Sequence, residues 1–330
     1  MCKRLGEKIN FRPLQSTEIY QMLSENLQRG ILYMVIASFC FALTGACTRL
    51  LGGEISSVEL VFFRNVVGVG FIAATLLKRP IKQKGGKPFL LIFRGIIGTL
   101  ALYTFFYSIT QIGLAEAITY QQTYPIWLAL LSFFILKEYL KRREWWAILL
   151  GFGGILLIFL PQMTGGLTST RNHSIGIING VLTALAYLSI RGLSEFYDTR
   201  SIVLSFMLSG IILPIISMTV GEYYDFPNLD FMISKFVMPS GTQWFWIALL
   251  GVAAMIGQIF LTKAFAYGKA GPISVAGYSN IIFSVCFGIL LGDAIPAWLS
   301  FAGIILVISS GILISWKKKA AAVKGEEVKS

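Results

Sequence analysis

The sequence predicts an all-α integral membrane protein with ten transmembrane helices, arranged as a 5+5 inverted repeat. Three observations lead to this prediction. The 330 residues are 55% hydrophobic and 13% charged, with a mean hydropathy of +0.72, whereas soluble domains carry about 25% charged residues. Apolar runs of about 20 residues recur through most of the chain, which is the length that a helix needs to cross a bilayer core. A segment of the fourth run also has a close counterpart later in the chain.

Short polar segments separate the apolar runs and set the domain boundaries. The predicted spans are residues 30–50, 57–77, 88–111, 114–136, 144–160, 174–191, 201–221, 242–266, 271–291 and 296–316. The predicted domains are a cytoplasmic N-terminal tail (1–28), a first repeat (29–160), a linker (161–173), a second repeat (174–316) and a basic cytoplasmic C-terminal tail (317–330).

The basic residues give the predicted orientation. With the N-terminus in the cytoplasm, 22 of the 28 Lys and Arg residues lie in cytoplasmic tails or loops, and the opposite side carries Arg171 and Lys235. An excess of this kind marks the cytoplasmic side of membrane proteins. We therefore predict a protein of the cytoplasmic (inner) membrane with both termini in the cytoplasm. Because the net charge of +12 is spread over these short loops, nucleic acid is not an expected partner.

The repeated segment runs from Ile112 to Glu138 and again from Tyr267 to Asp293, without a gap. In this alignment Gly113 corresponds to Gly268, Pro125 to Asn280 and Glu138 to Asp293. Five spans separate the two copies, so the second copy crosses the membrane in the opposite direction. Inverted repeats are found in many secondary transporters, whose substrates bind where the repeats meet. The terminal acids of the two copies are interpreted as structural groups that form ion pairs or cap helices.

The proline of span four predicts a break in that helix. Pro125 lacks an N–H group and clashes with the carbonyl four residues earlier. Inside a membrane, broken helices are tolerated where protein or a water-filled cavity covers the free polar groups. Span nine also has polar side chains at the equivalent place, which leaves two interpretations: a substrate pocket, or hydrogen bonds that hold the helices together. The residues concerned are Gln121, Gln122, Tyr124, Tyr278 and Asn280.

Charged residues inside the spans are further candidates. Arg64 lies well inside span two, where a charge usually faces a cavity or a partner. Its expected partner is an anionic substrate or one of two carboxylates within spans, Glu59 and Glu116. Each acid is also a candidate for proton coupling, because a dry environment raises the pKa of a carboxyl group. Arg94, near the cytoplasmic end of span three, is expected to extend its side chain to the membrane surface.

Aromatic and amide side chains complete the candidate pocket. Aromatic rings line many sites for organic substrates, although most of the 14% aromatic residues must pack or face lipid. We include Tyr103 and Tyr107 of span three and Gln258 of span eight among the predicted substrate-binding residues. Tyr187 of span six is a further aromatic residue of this kind.

The motifs of enzymes and metal sites are missing from the sequence. It contains no GxxxxGK[ST], GxSxG or HExxH pattern, which would indicate nucleotide, acyl-transfer or zinc chemistry. The single histidine, His173, is expected in a polar loop, and the four cysteines form no CxxC pair. We therefore predict no metal site and no cofactor, and we do not expect an enzyme.

Several segments, taken in order, resemble a known family. They are ELVFFRN from Glu59 to Asn65, the aromatic end of span three from Leu102 to Ser108, the small residues, proline and terminal acid of span four, and a glycine-rich span five from Gly151 to Gly154. This pattern, repeated in the second half, resembles the drug/metabolite transporter superfamily, specifically its ten-helix EamA-type members. The resemblance covers about residues 30–316 and implies an inner-membrane carrier with a central cavity lined by spans 1, 3, 4, 6, 8 and 9. Asn280 and Asp293 depart from the family pattern, which has proline and glutamate there.

Together these features predict a secondary transporter that moves a small organic metabolite, such as an amino acid, a nucleoside or a vitamin, by alternating access. Its expected partners are this metabolite, the lipid bilayer and protons as a coupling ion, and the chain is expected to act as a monomer or homodimer. The alternative is a flippase for a lipid-linked intermediate, or a passive channel, on the same fold. Neither the substrate nor the direction of transport follows from the sequence.

Overall fold

The computed structural model describes residues 16–78, 84–136, 142–163, 166–193, 196–267, 276–293, 295 and 297–315. In this part of the chain the regular secondary structure is helical. The helices are α1 (Ser16–Leu51), α2 (Ser57–Lys78), α3 (Pro88–Ile112), α4 (Leu114–Gln121), α5 (Tyr124–Leu136), α6 (Arg142–Met163), α7 (Gly166–Leu193), α8 (Thr199–Tyr223), α9 (Gly241–Tyr267), α10 (Ser279–Leu290) and α11 (Trp298–Ser315), with a short 3₁₀-helix at Pro227–Leu229.

Six of the described helices contain segments long and apolar enough to cross a membrane, namely α1, α2, α3, α7, α8 and α9. Helices α6, α10 and α11 contain shorter apolar segments, and the predicted fourth span is divided between α4 and α5. The chain is therefore a multi-pass helical membrane protein, as its composition predicts. The number of ten spans stays a prediction.

Two helix boundaries differ from the prediction. Helix α1 begins at Ser16, within the predicted N-terminal tail, and α7 begins at Gly166, within the predicted linker. The polar start of α7 is helical because neighbouring helices satisfy its side chains: His173 Nδ1 lies 3.0 Å from the hydroxyl oxygen of Tyr120. His173 is 4% exposed, so the expectation of a polar loop is wrong. Glu138 and the predicted C-terminal tail lie outside the described residues.

The helices pack in pairs that exchange the two halves of the chain. Helix α1 packs along α9, and α3 packs along α7. In terms of the predicted spans, the first pair joins spans 1 and 8 and the second joins spans 3 and 6. Exchanging each span with its equivalent in the other repeat therefore converts the first pair into the second. Helix α2 packs against α8 and α6 against α11, and each of these pairs joins equivalent spans. This is the contact pattern expected of two interlocked repeats.

Glycine allows a close approach of α6 and α11. A Cβ atom at Gly154 would lie 2.7 Å from the carbonyl oxygen of Gly303, and a Cβ atom at Gly303 would lie 2.6 Å from the carbonyl oxygen of Gly154. Ser310 Oγ donates a hydrogen bond of 2.6 Å to the carbonyl of Ala147 across the same pair of helices. Close packing and interhelical hydrogen bonds of this kind hold helices together inside a membrane.

Helix α8 begins with a capping residue outside its apolar segment. The carboxylate of Asp198 accepts hydrogen bonds from Arg200 Nε (3.0 Å) and from the backbone N–H of Arg200 (2.8 Å). These bonds lower the pKa of Asp198 below its ordinary value. The ionised carboxylate fixes the start of the helix that carries Phe206 toward α3.

Candidate functional site

The predicted fourth span is broken in its middle. Helix α4 ends at Gln121 and α5 begins at Tyr124, with a turn at Gln122 and Thr123 between them. Pro125 is the second residue of α5, where its missing N–H removes no helical hydrogen bond. The break therefore lies immediately before the proline, which fixes the start of the following helix.

A second break lies at the equivalent position of the second repeat. Tyr278 forms a turn, and α10 begins immediately after it. The amide of Ile281 donates to the carbonyl of Tyr278 at 3.0 Å, as the amide of Ile126 donates to the carbonyl of Thr123 at 2.9 Å. These two hydrogen bonds occupy the same positions in the alignment of the repeats. The second repeat therefore keeps the turn although Asn280 replaces the proline.

The two breaks are in direct contact. Gln122 Nε2 donates a hydrogen bond of 3.0 Å to the carbonyl oxygen of Gly277, and the two residues are 155 positions apart, as equivalent residues of the repeat are. Ser38 Oγ on α1 lies 3.4 Å from the same carbonyl oxygen. Equivalent residues related by a two-fold axis can meet only near that axis. The contact therefore marks where an axis relating the two halves would pass.

Gln121 and Asn280 carry amide side chains beside the two breaks in the sequence, and Gln258 carries one on α9. Asn280 is 7% exposed, and its Oδ1 has no hydrogen-bond partner among the described residues. Gln121, the last residue of α4, is half-buried, as is Gln258 on α9. A buried carbonyl oxygen without a partner is uncommon in folded proteins, so Asn280 Oδ1 is a candidate ligand-binding atom.

Arg64 and Arg94 share one aromatic partner. The Cζ atom of Arg94 lies 4.7 Å from the ring centroid of Phe206, and that of Arg64 lies 6.0 Å from it. Gly98 provides the space, since a Cβ atom there would lie 2.1 Å from Arg94 Nη1 and 2.7 Å from the Phe206 ring. The Arg94 guanidinium thus lies over Gly98, one turn farther into the helix. The expectation that Arg94 extends to the membrane surface is therefore wrong.

Tyr187 connects the arginines with the helix break. It lies near both Arg64 and Arg94, and its ring packs edge-on against the ring of Tyr124 with 4.9 Å between centroids. These neighbours come from α2, α3 and α5, yet Tyr187 is 39% exposed. Tyr187 therefore borders accessible space between these helices.

The two arginines have no carboxylate partner in the described part of the chain. The ion pairs found there join Arg49 with Asp293, Arg171 with Asp230 and Arg200 with Asp198. Arg94 is 8% exposed, and its Nε and Nη1 make no hydrogen bond to described residues. Ionisable side chains inside membrane helices almost always have a partner or face a water-filled cavity, and a cation–π contact contributes only about 0.5–2 kcal/mol. The Phe206 ring alone therefore does not balance these charges.

Glu59 lies at the start of α2, where its carboxylate is hydrogen-bonded by the protein. Its Oε2 accepts hydrogen bonds from the N–H (2.9 Å) and Oγ (2.8 Å) of Ser56, while Ser56 Oγ accepts one from the Glu59 N–H (3.2 Å). This reciprocal pattern is a capping box, which fixes the start of α2. Glu59 Oε1 accepts a bond of 2.7 Å from the N–H of Val237 in the segment before α9. Because both oxygens are occupied at the helix start, the predicted pairing with Arg64 is wrong.

Glu116 and Asp293 lie at the end of the bundle where α4 begins, called here the Asp293 end. Asp293 Oδ1 accepts a hydrogen bond from Arg49 Nε (2.8 Å) and lies 2.7 Å from Arg49 Nη2, and Oδ2 accepts a hydrogen bond from the N–H of Leu114 (2.9 Å). Asp293 thus forms an ion pair and caps α4, the structural role predicted for it. Glu116, in the first turn of α4, interacts electrostatically with Asp293. The predicted pairing of Glu116 with Arg64 is not formed.

The hydroxyl groups of three predicted tyrosines contact other parts of the protein. Tyr103 is 1% exposed and its hydroxyl lies 3.2 Å from Ser217 Oγ on α8. The Tyr107 hydroxyl donates to Asp230 Oδ2 at 3.1 Å near the Asp293 end. The Tyr278 hydroxyl packs against a glycine of α11. The structure therefore does not bring the side chains of Tyr103 and Tyr107 to the arginines.

Phe206 was not identified from the sequence as a partner of the arginines, and the side chain of Arg94 was misplaced. Phe206 is one of many phenylalanines in apolar runs, and no local pattern distinguishes it. The orientation of Arg94 does have a local signal, since a glycine four residues later leaves room on the same helix face. This spacing lets the Arg94 guanidinium lie between the packed helices, beside Gly98.

Paired helix breaks and charged side chains inside a helical membrane bundle are typical of small-molecule transporters. Residues 28–160 match the model of the EamA-like transporter family. The chain is 32% identical over 291 residues to an uncharacterized transporter of Helicobacter pylori, which covers 87% of this chain and 94% of that protein. It is 30% identical over 304 residues to the pseudopaline exporter CntI of Pseudomonas aeruginosa, which covers 90% of this chain and 100% of that protein. The chain belongs to the EamA-like transporter family of the drug/metabolite transporter superfamily.

A solved crystal structure supports the same fold. It matches with a TM-score of 0.55 at 18% identity, over 89% of this chain and 98% of the other. At this identity the likeness concerns the fold alone. The family and its named relatives are transporters, so the expectations of a transport protein and of no enzymatic activity are confirmed.

Proposed function

We propose that the chain is a secondary transporter that carries a small organic metabolite across the cytoplasmic membrane by alternating access. The contact between Gln122 and Gly277 is the observation that carries this proposal. In carriers built from inverted repeats, the substrate binds near the middle of the membrane, where discontinuous helices of both repeats meet. Here the breaks occupy equivalent positions and touch.

The side chains around the breaks supply binding chemistry. Gln121 is half-buried, and Asn280 Oδ1 has no protein partner in the described residues. The rings of Tyr124 and Tyr187 provide an aromatic wall, and Arg64 lies beyond Tyr187. Metabolite sites combine a few polar groups with apolar and aromatic walls in this way. Gln121, Tyr124 and Asn280 are the substrate-binding residues of this proposal.

The proposed motion rocks residues 29–160 against residues 174–316. In the structure, Asp293 joins Arg49 on α1 to the start of α4, which holds the Asp293 end together. The excess of Lys and Arg on the other side favours an orientation in which this end faces away from the cytoplasm. A substrate shifts the balance between two such states only through contacts that differ between them.

Protons are the proposed coupling ion, with Glu116 as their carrier. Glu116 lies in the first turn of α4, beside Asp293. Protonation of Glu116 removes a like-charge contact at the Asp293 end, and so links proton binding to the closure of that end. Glu59 is not part of this proposal, because its carboxylate is occupied in the capping box.

One observation favours the alternative of a flippase for a lipid-linked intermediate. A groove of about 360 Å³ opens between α3 and α8, where Ser205 and Ser209 lie among apolar side chains. Ile92 and Ile212 on its rim are more than half exposed, so the groove is open at the side of the bundle. A lipid-linked substrate enters from the side, whereas a polar metabolite enters from an end.

Metabolite profiles of cells and medium, with the gene deleted and overexpressed, test the proposal. A carrier is expected to change the internal and external pools of one chemical class in opposite directions, and the gradient is expected to collapse with an uncoupler. Gln121→Ala and Asn280→Ala are expected to reduce this effect. Accumulation of a lipid-linked intermediate on deletion would favour the flippase. Flux without saturation, unaffected by both substitutions, would favour a channel, and unchanged pools would reject the transporter.

A further inference from the structure

We propose that the transported metabolite is an organic anion. Its carboxylate binds between Arg64 and Arg94, and its apolar part packs on Phe206 and Tyr187. This inference rests on the proposed function and names its substrate class. An arginine presents a planar set of N–H donors that matches the two oxygens of a carboxylate. Here two guanidinium groups face one ring, and Arg94 Nε and Nη1 have no partner among the described residues.

The charge distribution of the bundle favours an anion at this place. The acids whose side chains the structure describes lie in loops or in terminal turns of helices, namely Glu54, Glu59, Glu116, Asp198, Glu222, Asp225, Asp230 and Asp293. Arg64 and Arg94 lie farther along their helices, where a cation usually pairs with another group or faces a cavity. Because these acids are at helix ends, a bound anion is the partner that balances the two arginines.

The contacts of Arg64 leave it available for a ligand. Its Cζ atom is 6.0 Å from the Phe206 centroid, which is the outer limit of an effective cation–π contact. It forms no hydrogen bond within the described part of the chain, and its side chain is partly exposed. Arg64 is therefore held in place weakly by the protein, on the side where Tyr187 borders accessible space.

The position of the arginines connects anion binding to the proposed motion. Arg64 and Arg94 belong to α2 and α3 of the first half, whereas Tyr187 and Phe206 belong to α7 and α8 of the second half. Tyr187 also contacts Tyr124 beside the break. An anion at this site therefore touches both halves, and its affinity changes when the halves move relative to each other.

A stability measurement tests the anion site without knowledge of the substrate. The full-length protein is purified in detergent and melted with two fractions of a cell metabolite extract, one retained by an anion exchanger and one not retained. Without extract, Arg94→Gln is expected to melt at or above the wild-type temperature, because the substitution removes a buried charge that lacks a partner. The retained fraction is expected to raise the melting temperature of the wild type but not of Arg94→Gln.

Arg143→Gln is the matched control, since Arg143 is an exposed arginine at the start of α6 and should keep the wild-type response. Gly98→Ala is a second variant that displaces the Arg94 guanidinium while keeping its charge, and it should also lose the response. The inference is overturned if the retained fraction does not raise the melting temperature of the wild type. It is also overturned if that fraction stabilises Arg94→Gln and Gly98→Ala as strongly as the wild type.

A transport measurement separates this inference from the proposed function. The metabolites whose pools depend on the wild-type chain are expected to carry negative charge at neutral pH. At concentrations below saturation, Arg64→Gln and Arg94→Gln are expected to reduce their transport about ten- to hundredfold, with partial rescue by Arg94→Lys. Transport of neutral or cationic metabolites that is unchanged in both variants would overturn the anion site and leave the transporter intact. Unchanged pools would reject the transporter, while the melting experiment would still decide whether an anion binds.

Discussion

The substitution Asp293→Asn is expected to open the Asp293 end of the bundle. Asparagine keeps an acceptor for the Leu114 amide but loses the ionic bonds to Arg49. Hydrogen bonds to charged groups contribute about 1.5–3 kcal/mol. Because the Arg49 side chain is 34% exposed, we take the lower part of that range, about 1.5–2 kcal/mol, as the loss after solvent screening. Because a free-energy change of about 1.4 kcal/mol corresponds to a tenfold change in an equilibrium constant, the open population is expected to rise about ten- to thirtyfold.

Cys47 provides the assay for this opening. It lies on α1 two residues before Arg49 and is 1% exposed, within the main apolar core. In a background without the other three cysteines, its alkylation by N-ethylmaleimide requires local opening, so the rate follows the open population when reclosing is fast. The rate is expected to rise about ten- to thirtyfold in Asp293→Asn. Asp225→Asn, at an exposed acid after α8, is the control and should leave the rate unchanged.

An unchanged alkylation rate in Asp293→Asn would refute the reasoning, because the ion pair would then not hold this end closed. Arg49→Gln separates the ion pair from the helix cap. It removes the charge pair but leaves the bond from the Leu114 amide to Asp293. A similar acceleration in both variants assigns the closure to the ion pair. Acceleration in Asp293→Asn alone would contradict that assignment, because Arg49→Gln removes the same ion pair.

Other substitutions test the packing, the capping box and the contact between the breaks. Gly154→Ala should lower the free energy of unfolding by about 1–3 kcal/mol, because the methyl group overlaps a carbonyl of α11. Gly153→Ala has open space around it and should be neutral or slightly stabilising in the same denaturation assay. Glu59→Gln should lower the free energy of unfolding by about 1.5–3 kcal/mol and leave the pH dependence of transport unchanged. A changed pH dependence with unchanged stability would instead support a role of Glu59 in proton coupling. Gln122→Ala should cost about 0.5–1.5 kcal/mol and lower the turnover rate, whereas Gln121→Ala should mainly raise the half-saturation concentration; the reverse pattern would contradict these assignments.

The sequence was informative about the helices because the length of an apolar run is a local property. The predicted spans 57–77 and 88–111 correspond closely to α2 and α3. The start of α7 was misjudged because its polar residues are satisfied across space rather than by their neighbours in sequence. His173, for example, bonds to Tyr120 of α4. Local polarity therefore predicts solvent exposure poorly where another helix supplies the hydrogen bonds.

The residues of the candidate site also fall into two groups, those with a local cause in the sequence and those brought together by helix packing. Pro125 acts on its own helix, so the first break was predictable from one residue. The second break has no proline, and no residue of span nine predicted it. The meeting of Arg64 and Arg94 at Phe206 depends on the packing of three helices, which no local pattern contains. The residues with a local cause were therefore found, and those brought together by packing were not.

The contact of Gln122 with Gly277 also provides a depth scale for the bilayer. An axis that inverts the two halves must lie parallel to the membrane, and both halves meet the same lipid profile only when the axis coincides with the midplane. The reciprocal crossing of Gly154 and Gly303 joins equivalent spans, so it belongs to the same level. With a rise of about 1.5 Å per residue along each helix, the distance of any helical side chain from the bilayer centre can be counted from these two points. Lipid-attached fluorescence quenchers placed at known depths would measure the same distances independently.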